Sequence, residues 1–414
     1  MKKKYCVIVD AYGSTAYLPA EFIKRGFECI HVASPGEKGE YYLKSFRPQD
    51  FAVIVEEQHD IDKIVAQLER YPIVCVVPGT DAAVLLADTL ASRLGLKQND
   101  LELSPARRYK DVMAERLAAV HLPHIPHIKS SDSAEIIAWA NQGGHWPLVI
   151  KPIDGAATEG LSLCQAPSDV QAALDYLLSQ TSFLGHQFHV ALAQPFLVGS
   201  EYIVNTVSRD GRHYVCDIWE SQKEHDNGHI IYTTTALLPS TGAVQELLSD
   251  YILKVVPALG VNIGPVHSEV MLTSQGPVLI ESNCRIMGLG IPPALQEEAL
   301  EYIQTTLTAE SYVDPKNFAQ HTKAPYVLKK HLVCVLHQVP FEQAFVHESA
   351  IAQIKALESF KMHKFSHTGT VMKTIDLLTS PGWVLLIHDD PTVIEADIKC
   401  IRDIERNHLF SPKP

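Results

Sequence analysis

From residue 5 to residue 78 the chain alternates short apolar runs with stretches whose apolar positions recur at helical spacing. KYCVIVD, FECIHVA, FAVIVEE and IVCVVPG have strand length, and GSTAYLPAEFIKRG and IDKIVAQLERY lie among them as loop-plus-helix and helix. Strands buried on both faces read as near-continuous apolar runs, and strands alternating with helices build a parallel sheet covered on both sides. A ligand of such a sheet sits beyond the carboxyl ends of its strands. The stretches Asp10 to Ser14 and Pro78 to Asp81 fall there. Either loop taken alone is better explained by strand-to-helix turn chemistry.

Further along, ADTLASRLG predicts a helix closed by Gly95. SPARRYKDVMAERLAAV predicts another, with Ser104 as N-cap and Pro105 in the first turn. The prolines of HLPHIPHIK end it. His121, His124 and His127 are evenly spaced there, but the same prolines prevent a regular helical face, which argues against a metal site. WPLVIKP, HVALAQPFL and EYIVNTVSRDGRHYVCDIWE follow as strands, the last a hairpin turning at Arg209-Asp210-Gly211, with helices at SDVQAALDYLLSQ and SDYILKVVPALG. After about residue 320 the pattern is mixed again: APYVLKKHLVCVLH and GWVLLIHDD read as strands, TVIEADIKCIRDIERNHLF as a terminal helix.

One segment breaks the apolar rule. HSEVMLTSQGPVLIESNCRIMG, residues 267–288, carries Glu269 and Glu281 inside two strand-like runs. With a TSQGP loop the two acids stand directly opposite each other. His267, Glu269 and Met271 then share a face with Leu279, Glu281 and Asn283, while Val266, Val270, Leu272, Val278 and Ile280 turn to the core. A four-residue loop without a bulge would separate the acids. Opposed like charges repel, and a divalent cation held by hard oxygen ligands removes that cost. A pair of surface acids on an exposed sheet face explains the segment equally well.

Composition narrows the setting. A chain of 414 residues is too long for one ordinary core, so several domains are expected. The net charge of −13 gives no positive field to gather nucleic acid. The run CVIV is too short for a signal peptide and no later run would span a bilayer. Eight cysteines without a CxxC, most of them in strand-like runs, point to reduced thiols and a cytoplasmic protein.

Two further motifs carry polar chemistry. LVIKPIDGAATEGLSLC ends a strand on Lys151 and opens a small-residue loop with Gly155, Thr158 and Gly160, where backbone N–H groups could approach phosphate; it lacks Walker spacing, and a flexible hairpin is the plain alternative. LAQPFLVGSEYIV runs from Gln194 through Phe196 and Leu197 to Glu201. It is either a strand ending in a turn or a hinge whose backbone reads adenine.

The order of the motifs is more telling than any one of them. A helix with Lys110, then VIKP with its two glycines, then QPFLVGSE, then the paired acids ending in ESN, resembles the ATP-grasp superfamily of carboxylate–amine ligases over residues 100 to 290. KTIDLLTSPGWVLLIHDD is similar to the L-amino-acid ligase, dipeptide-forming branch. The resemblance implies a multidomain α/β and α+β chain with the ATP-grasp fold. Residues 1–104 would form the parallel α/β domain before it, 105–200 and 201–322 its two subdomains, and 323–414 a mixed α/β extension.

The resemblance also implies roles. Lys110 and Lys151 would contact ATP phosphates, Lys151 also lying near adenine. Gln194 stands at the adenine hinge where the family usually has glutamate, followed by Phe196 and the N–H of Leu197. Glu201 would bind ribose. Glu269, Glu281 and Asn283 would hold Mg2+, as two ions or with Mn2+ instead, and Arg285 the transferring phosphoryl group. The loop from Asp154 to Gly160 would close over the phosphates. His267 occupies the place of a phosphate-binding arginine in some relatives, and His225, His229, Gly288 and Leu289 would line the substrate side.

The chemistry is coherent, because a carboxylate becomes open to attack by an amine only after activation as an acyl phosphate. The repelling anions must be neutralised in line and water excluded. The expected enzyme joins two small molecules, L-amino acids in this branch, and a homodimer is compatible with it. A ligase for another kind of carboxylate and a non-catalytic nucleotide-binding regulator are the alternatives. The full set Glu269, Glu281, Asn283 and Arg285 argues against the regulator.

Overall fold

The computed structural model describes residues 3–36, 38–56, 59–155, 159–182, 187–226, 229–365, 369–377 and 379–413, with residues 40, 41, 225, 226 and 229 described by their backbone alone. The first apolar runs form strands β1 (Tyr5–Val9), β2 (Glu28–Val32), β3 (Val53–Val55) and β4 (Ile73–Pro78), parallel and in the order β3-β2-β1-β4. Alternate residues serve two cores. Val7, Val9, Ile30, Val32 and Val76 pack on Ile64, Leu68, Ala87 and Leu90 of two helices. Cys6, Ile8, Cys29, Cys75 and Val77 pack on Leu18 and Phe22, and also on Ile286 and Ala309 from much later in the chain. Each fully buried aliphatic side chain contributes about 1.5–3 kcal/mol, so this second face binds the parallel sheet firmly to the segment after Glu281.

A second sheet is antiparallel, built from β5 (Ile128–Ser130), β6 (Leu148–Pro152), β7 (Ser162–Cys164) and β8 (Ala191–Pro195) in the order β5-β8-β6-β7. Helices Ser133–Gly143 and Pro167–Ser179 cover it through Ile136, Ala140, Val170, Leu174 and Leu177.

The remaining strands are β9 (Ser200–Arg209), β10 (Arg212–Asp226), β11 (His229–Leu237), β12 (Gly264–Thr273), β13 (Gly276–Asn283), β14 (His331–Leu336), β15 (Gln343–Val346), β16 (Phe360–Phe365), β17 (Thr370–Met372), β18 (Gly382–His388) and β19 (Phe410–Pro412). Eight of them form one sheet in the order β13-β12-β9-β10-β11-β14-β18-β16, and β17-β15-β19 form a small separate one. The β9–β10 turn is tight because Asp210 and Gly211 both take positive φ, 51° and 74°. The large sheet runs unbroken across residue 322 through the pairing of β11 with β14. Leu332 and Cys334 enter the same core as Val266 and Leu279, while Val333 and Val335 face a second core with Ile394 and Ile401 of the terminal helix Pro391–Ile404.

The helix expected from Ser104 onward is divided. Pro105–Arg107 is a single 3-10 turn and the α-helix begins only at Lys110, ending at Ala119. The Ser104 hydroxyl donates to Asp88 instead of capping. Buried Arg107 explains the break: it donates to Asp88 at 2.7 Å and to the carbonyl of Leu259 at 2.7 Å, which fixes this turn against other elements. Lys110 is thereby placed in the first turn of a new helix. Among the described residues no helix is long and apolar enough to cross a membrane, and seven of the eight cysteines are buried.

Candidate functional site

The β12–β13 hairpin sets Glu269 directly opposite Glu281, with a shorter loop and a bulge in place of the TSQGP loop. The connection is shorter than TSQGP: Thr273 already pairs with Gly276. Such a turn would put Glu269 opposite Ile280. A bulge beyond Glu269 pairs Val270 with Leu279, skips Ile280 and restores the facing acids. It also changes the faces. Leu279, not Val278 or Ile280, joins the core with Val266 and Val270. Ile280 instead lines a small cavity with Lys110, Met113, Gln194 and Leu279.

Cations from elsewhere in the chain meet these acids. Lys110 lies 2.6 Å from Glu281 Oε2 and donates to the carbonyl of Gly155 at 2.8 Å. Its backbone N–H holds the carbonyl of Ile153, and Arg108 donates to the carbonyl of Asp154, so the base of the glycine loop is tied to this helix start. Asn283 Nδ2 donates to Glu281 Oε1 at 2.8 Å. Burial alone would raise the Glu281 carboxyl, but Lys110, Lys151 and Asn283 hold it at about 2. Burial, reinforced by Lys110, brings the Lys151 ammonium down to about 8 against the pull of Glu281, Glu269 and Glu201. Lys151 on β6 and the acids on β9, β12 and β13 thus act on each other between the second and third sheets.

Arg285 is gripped by a residue the sequence reading had placed only in a loop. Its Nε and one terminal nitrogen donate to the two oxygens of Asp81 at 3.0 and 3.1 Å, and the other nitrogen reaches the carbonyl of Ile286. Burial would lower the guanidinium, and the Asp81 carboxylate raises it above its ordinary value. The neighbouring loop joins too, since the Gly290 N–H donates to Ser14 Oγ at 3.0 Å. Both loops at the ends of the parallel strands therefore border the segment after Glu281. A Cβ at Gly288 would come within 3.8 Å of the Arg285 guanidinium, and Leu289 packs at the margin of the main core.

Glu201 is buried and engaged by Lys223 and by Tyr232 Oη, the latter at 2.9 Å, with Lys223 4.5 Å above the Tyr232 ring. Burial and the nearby Glu269 raise its carboxyl, while Lys223 and Tyr232 oppose the rise. Neither partner was singled out from the sequence. Gln194 is buried on β8; the Phe196 N–H donates to Pro147, and Leu197 lies half-buried in the loop that follows. His267 is buried and bonds Asn205. A period-two reading from Glu201 along EYIVNTV would have found Asn205 on the same face. Gly155 and Gly160 bracket the loop; a Cβ would meet Pro152 at the first and Leu177 at the second. Thr158 and the side chains of His225 and His229 lie outside the described residues.

Residues 145–292 match the ATP-grasp domain family. The chain is 32% identical to dapdiamide A synthase of Enterobacter agglomerans over 97% of its own length and 96% of that protein's. It belongs to the ATP-grasp ligase family. The ATP-grasp fold also relates it to the L-amino acid ligase of Bacillus licheniformis, with a TM-score of 0.75 at 15% identity over 100% of this chain and 99% of that one. Carboxyaminoimidazole ribonucleotide synthase of Aspergillus clavatus, solved with ATP, gives 0.71 at 15% identity over 98% of each chain. The ATP-grasp match contains Lys151, Gln194, Glu201, Glu269, Glu281, Asn283 and Arg285, and begins beyond Lys110.

Proposed function

We propose that this ATP-grasp ligase activates a small carboxylate with ATP as an acyl phosphate and joins it to an amine, with one amino acid as carboxylate donor and another as acceptor. The observation that carries the reading is the facing pair Glu269 and Glu281, met by Lys110 and Lys151 and followed by a clamped arginine. Two carboxylates and an amide oxygen are hard donors, a set that suits Mg2+ or Mn2+. Glu281 already attracts a cation in the form of Lys110. Bound between nucleotide and protein, Mg2+ would neutralise phosphate charge and align the oxygens.

The protein's own groups do the rest in this reading. Gln194, Phe196, Leu197 and the apolar walls Met113 and Ile280 take the base. Glu201, oriented by Lys223 and Tyr232, faces the ribose. Lys110 and Lys151 offset the charge of the phosphates, and Lys110 exchanges its carboxylate partner for them. Arg285, fixed by Asp81, stabilises charge as the phosphoryl group moves to the carboxylate. The loop of Gly155, Thr158 and Gly160 limits water at the acyl phosphate.

A second reading is a carboxylate that is not an amino acid, since likeness to the L-amino acid ligase is one of fold, at 15% identity. Phosphate release with ATP and Mg2+ across pairs of amino acids and other small carboxylates, with mass spectrometry of the products, separates the two. A new amide with ADP and phosphate supports the proposal. Nucleotide binding without turnover of any pair overturns it.

A further inference from the structure

The ion pair of Asp81 and Arg285 leaves part of its hydrogen-bonding capacity unspent. A guanidinium carries five N–H donors, and a carboxylate offers about four acceptor sites. Arg285 spends two donors on the two oxygens of Asp81 and one on the carbonyl of Ile286. Among the described residues these bonds complete the partners of both side chains. Donors and acceptors therefore remain next to each other, on either side of the 3.1 Å contact between the terminal nitrogen and Oδ2. The side chains are 15% and 13% exposed, so solvent reaches the pair yet competes weakly for it. Its base is firm. Beside Asp81, Thr80 Oγ1 donates to buried Asp10 at 3.0 Å, and Asp10 also accepts from the Ser34 N–H and hydroxyl. Thr15 Oγ1 donates to the carbonyl of Gly79 at 2.8 Å, and the first loop also holds the Arg285 segment through Ser14 and Gly290. The pair stands beyond the carboxyl ends of the parallel strands, where such sheets receive ligands.

We propose that Asp81 binds the α-ammonium of the carboxylate substrate while Arg285 takes a carboxyl oxygen of the same molecule, so that the ion pair meets a zwitterion head to tail. In an α-amino acid the nitrogen lies about 2.5 Å from its own carboxyl carbon. An oxygen on a remaining N–H of Arg285 therefore brings the ammonium within reach of the adjoining Asp81 oxygen. The inference rests on the ligase reading and deepens it: the activated compound is an α-amino acid with a free amino group, rather than a hydroxy acid, an N-acylated amino acid or a simple carboxylate. Those compounds bring no cation to Asp81 and leave its remaining acceptor sites withdrawn from water without a charged donor, which costs binding. Asp81 thus acts twice, as the clamp of Arg285 and as a reader of the substrate.

Hydroxamate formation by the full chain, with ATP and Mg2+, tests this. Hydroxylamine replaces the amine: its nitrogen attacks the acyl carbonyl and gives up a proton, phosphate leaves, and an acyl hydroxamate forms, so the readout concerns the carboxylate half alone. L-amino acids are compared with their α-hydroxy counterparts, in which a neutral hydroxyl replaces the ammonium. In the wild-type chain kcat/KM for the preferred amino acid is expected to exceed that of its hydroxy analogue by about 10–100-fold. Asp81→Asn weakens the hold on Arg285 for both compounds, so both lose activity. The amino acid loses about tenfold more, and the preference shrinks accordingly. Asp81→Ala, read the same way, is expected to shrink it as well. A clamp alone would lower both compounds equally, so a preference that survives both variants overturns the inference. So does a wild-type chain that activates hydroxy acids as well as amino acids, or only carboxylates without an α-ammonium; in either case the ligase reading stands. Neither hydroxamate nor ATP consumption with any carboxylate removes the ligase reading and this inference with it.

Discussion

The two ends of the eight-stranded sheet handle buried charge in opposite ways. At the β14–β18 end it is closed locally: Glu405 takes bonds of 2.6 Å from His337 and 2.7 Å from Arg402, which is three residues away. Arg402 completes its set with the carbonyls of Leu336 and Thr233. At the β12–β13 end the partners are remote. Glu281 meets Lys110 of a distant helix and Arg285 meets Asp81 of the parallel sheet. A charge closed within its own unit serves stability. Charges that meet across separate units can change partners when a ligand enters, which is what a nucleotide site between sheets needs.

The sharpest way to break this contrast is to neutralise one carboxylate at each end. Glu405→Gln is expected to lower stability by about 3–5 kcal/mol, since it uncouples buried His337 and half-buried Arg402; activity per folded molecule should hold. Glu281→Gln should cut turnover about 10²–10³-fold, and losing the carboxylate that Lys110, Lys151 and Asn283 hold low should also cost stability. Urea unfolding and phosphate release on both variants read the outcome, and exchanged phenotypes would refute the distinction.

Leu386→Ala extends the test to packing. Leu386 is fully buried in the C-terminal core with Val335 and Ile394, so a loss of about 2–5 kcal/mol is expected, read by urea unfolding, with kcat unchanged.

Asp81→Asn sharpens the other end. Weakening the two bonds to Arg285 should lower kcat about 10-fold or more, in line with the ~1.5–3 kcal/mol of a charge-assisted pair, and leave the melting temperature almost unchanged.

The smallest effect lies in pH. Lys151, held at about 8 chiefly by burial, loses its charge as pH rises through that value, so the KM for ATP should climb above pH 8. Lys151→Arg should flatten the profile. For stability the sign is the reverse. The unfolded chain binds the extra proton between pH 8 and the ordinary lysine value of 10.5, so this group's contribution rises with pH across that window. Glu281, held at about 2, stays ionised throughout.

Periodicity made the parallel sheet and the two hairpins legible, because every strand there buries a patterned face. It allowed the facing of Glu269 and Glu281 on either of two conditions, a TSQGP loop or a shorter one with a bulge, without choosing between them. A bulge at Ile280 leaves no mark in an apolar run, and the face assignment of Val278 and Ile280 failed there. The start of the helix at Lys110 was hidden because Ser104 and Pro105 make a proper N-terminal signal, and only the tertiary bonds of Arg107 interrupt it. Asp81, Lys223 and Tyr232 were missed for a similar reason. Their partners are remote along the chain, and a buried arginine or glutamate announces that a partner exists without saying which residue supplies it.

The central claim is that Glu269 and Glu281 share a nucleotide-bound divalent cation. Anomalous diffraction from crystals grown with Mn2+ and a non-hydrolysable ATP analogue tests it most directly. The account predicts a peak about 2.0–2.2 Å from oxygens of both carboxylates and of the analogue's phosphates, with Lys110 moved from Glu281 to phosphate. A peak elsewhere, or none, with the Lys110–Glu281 pair intact beside bound nucleotide, would contradict it.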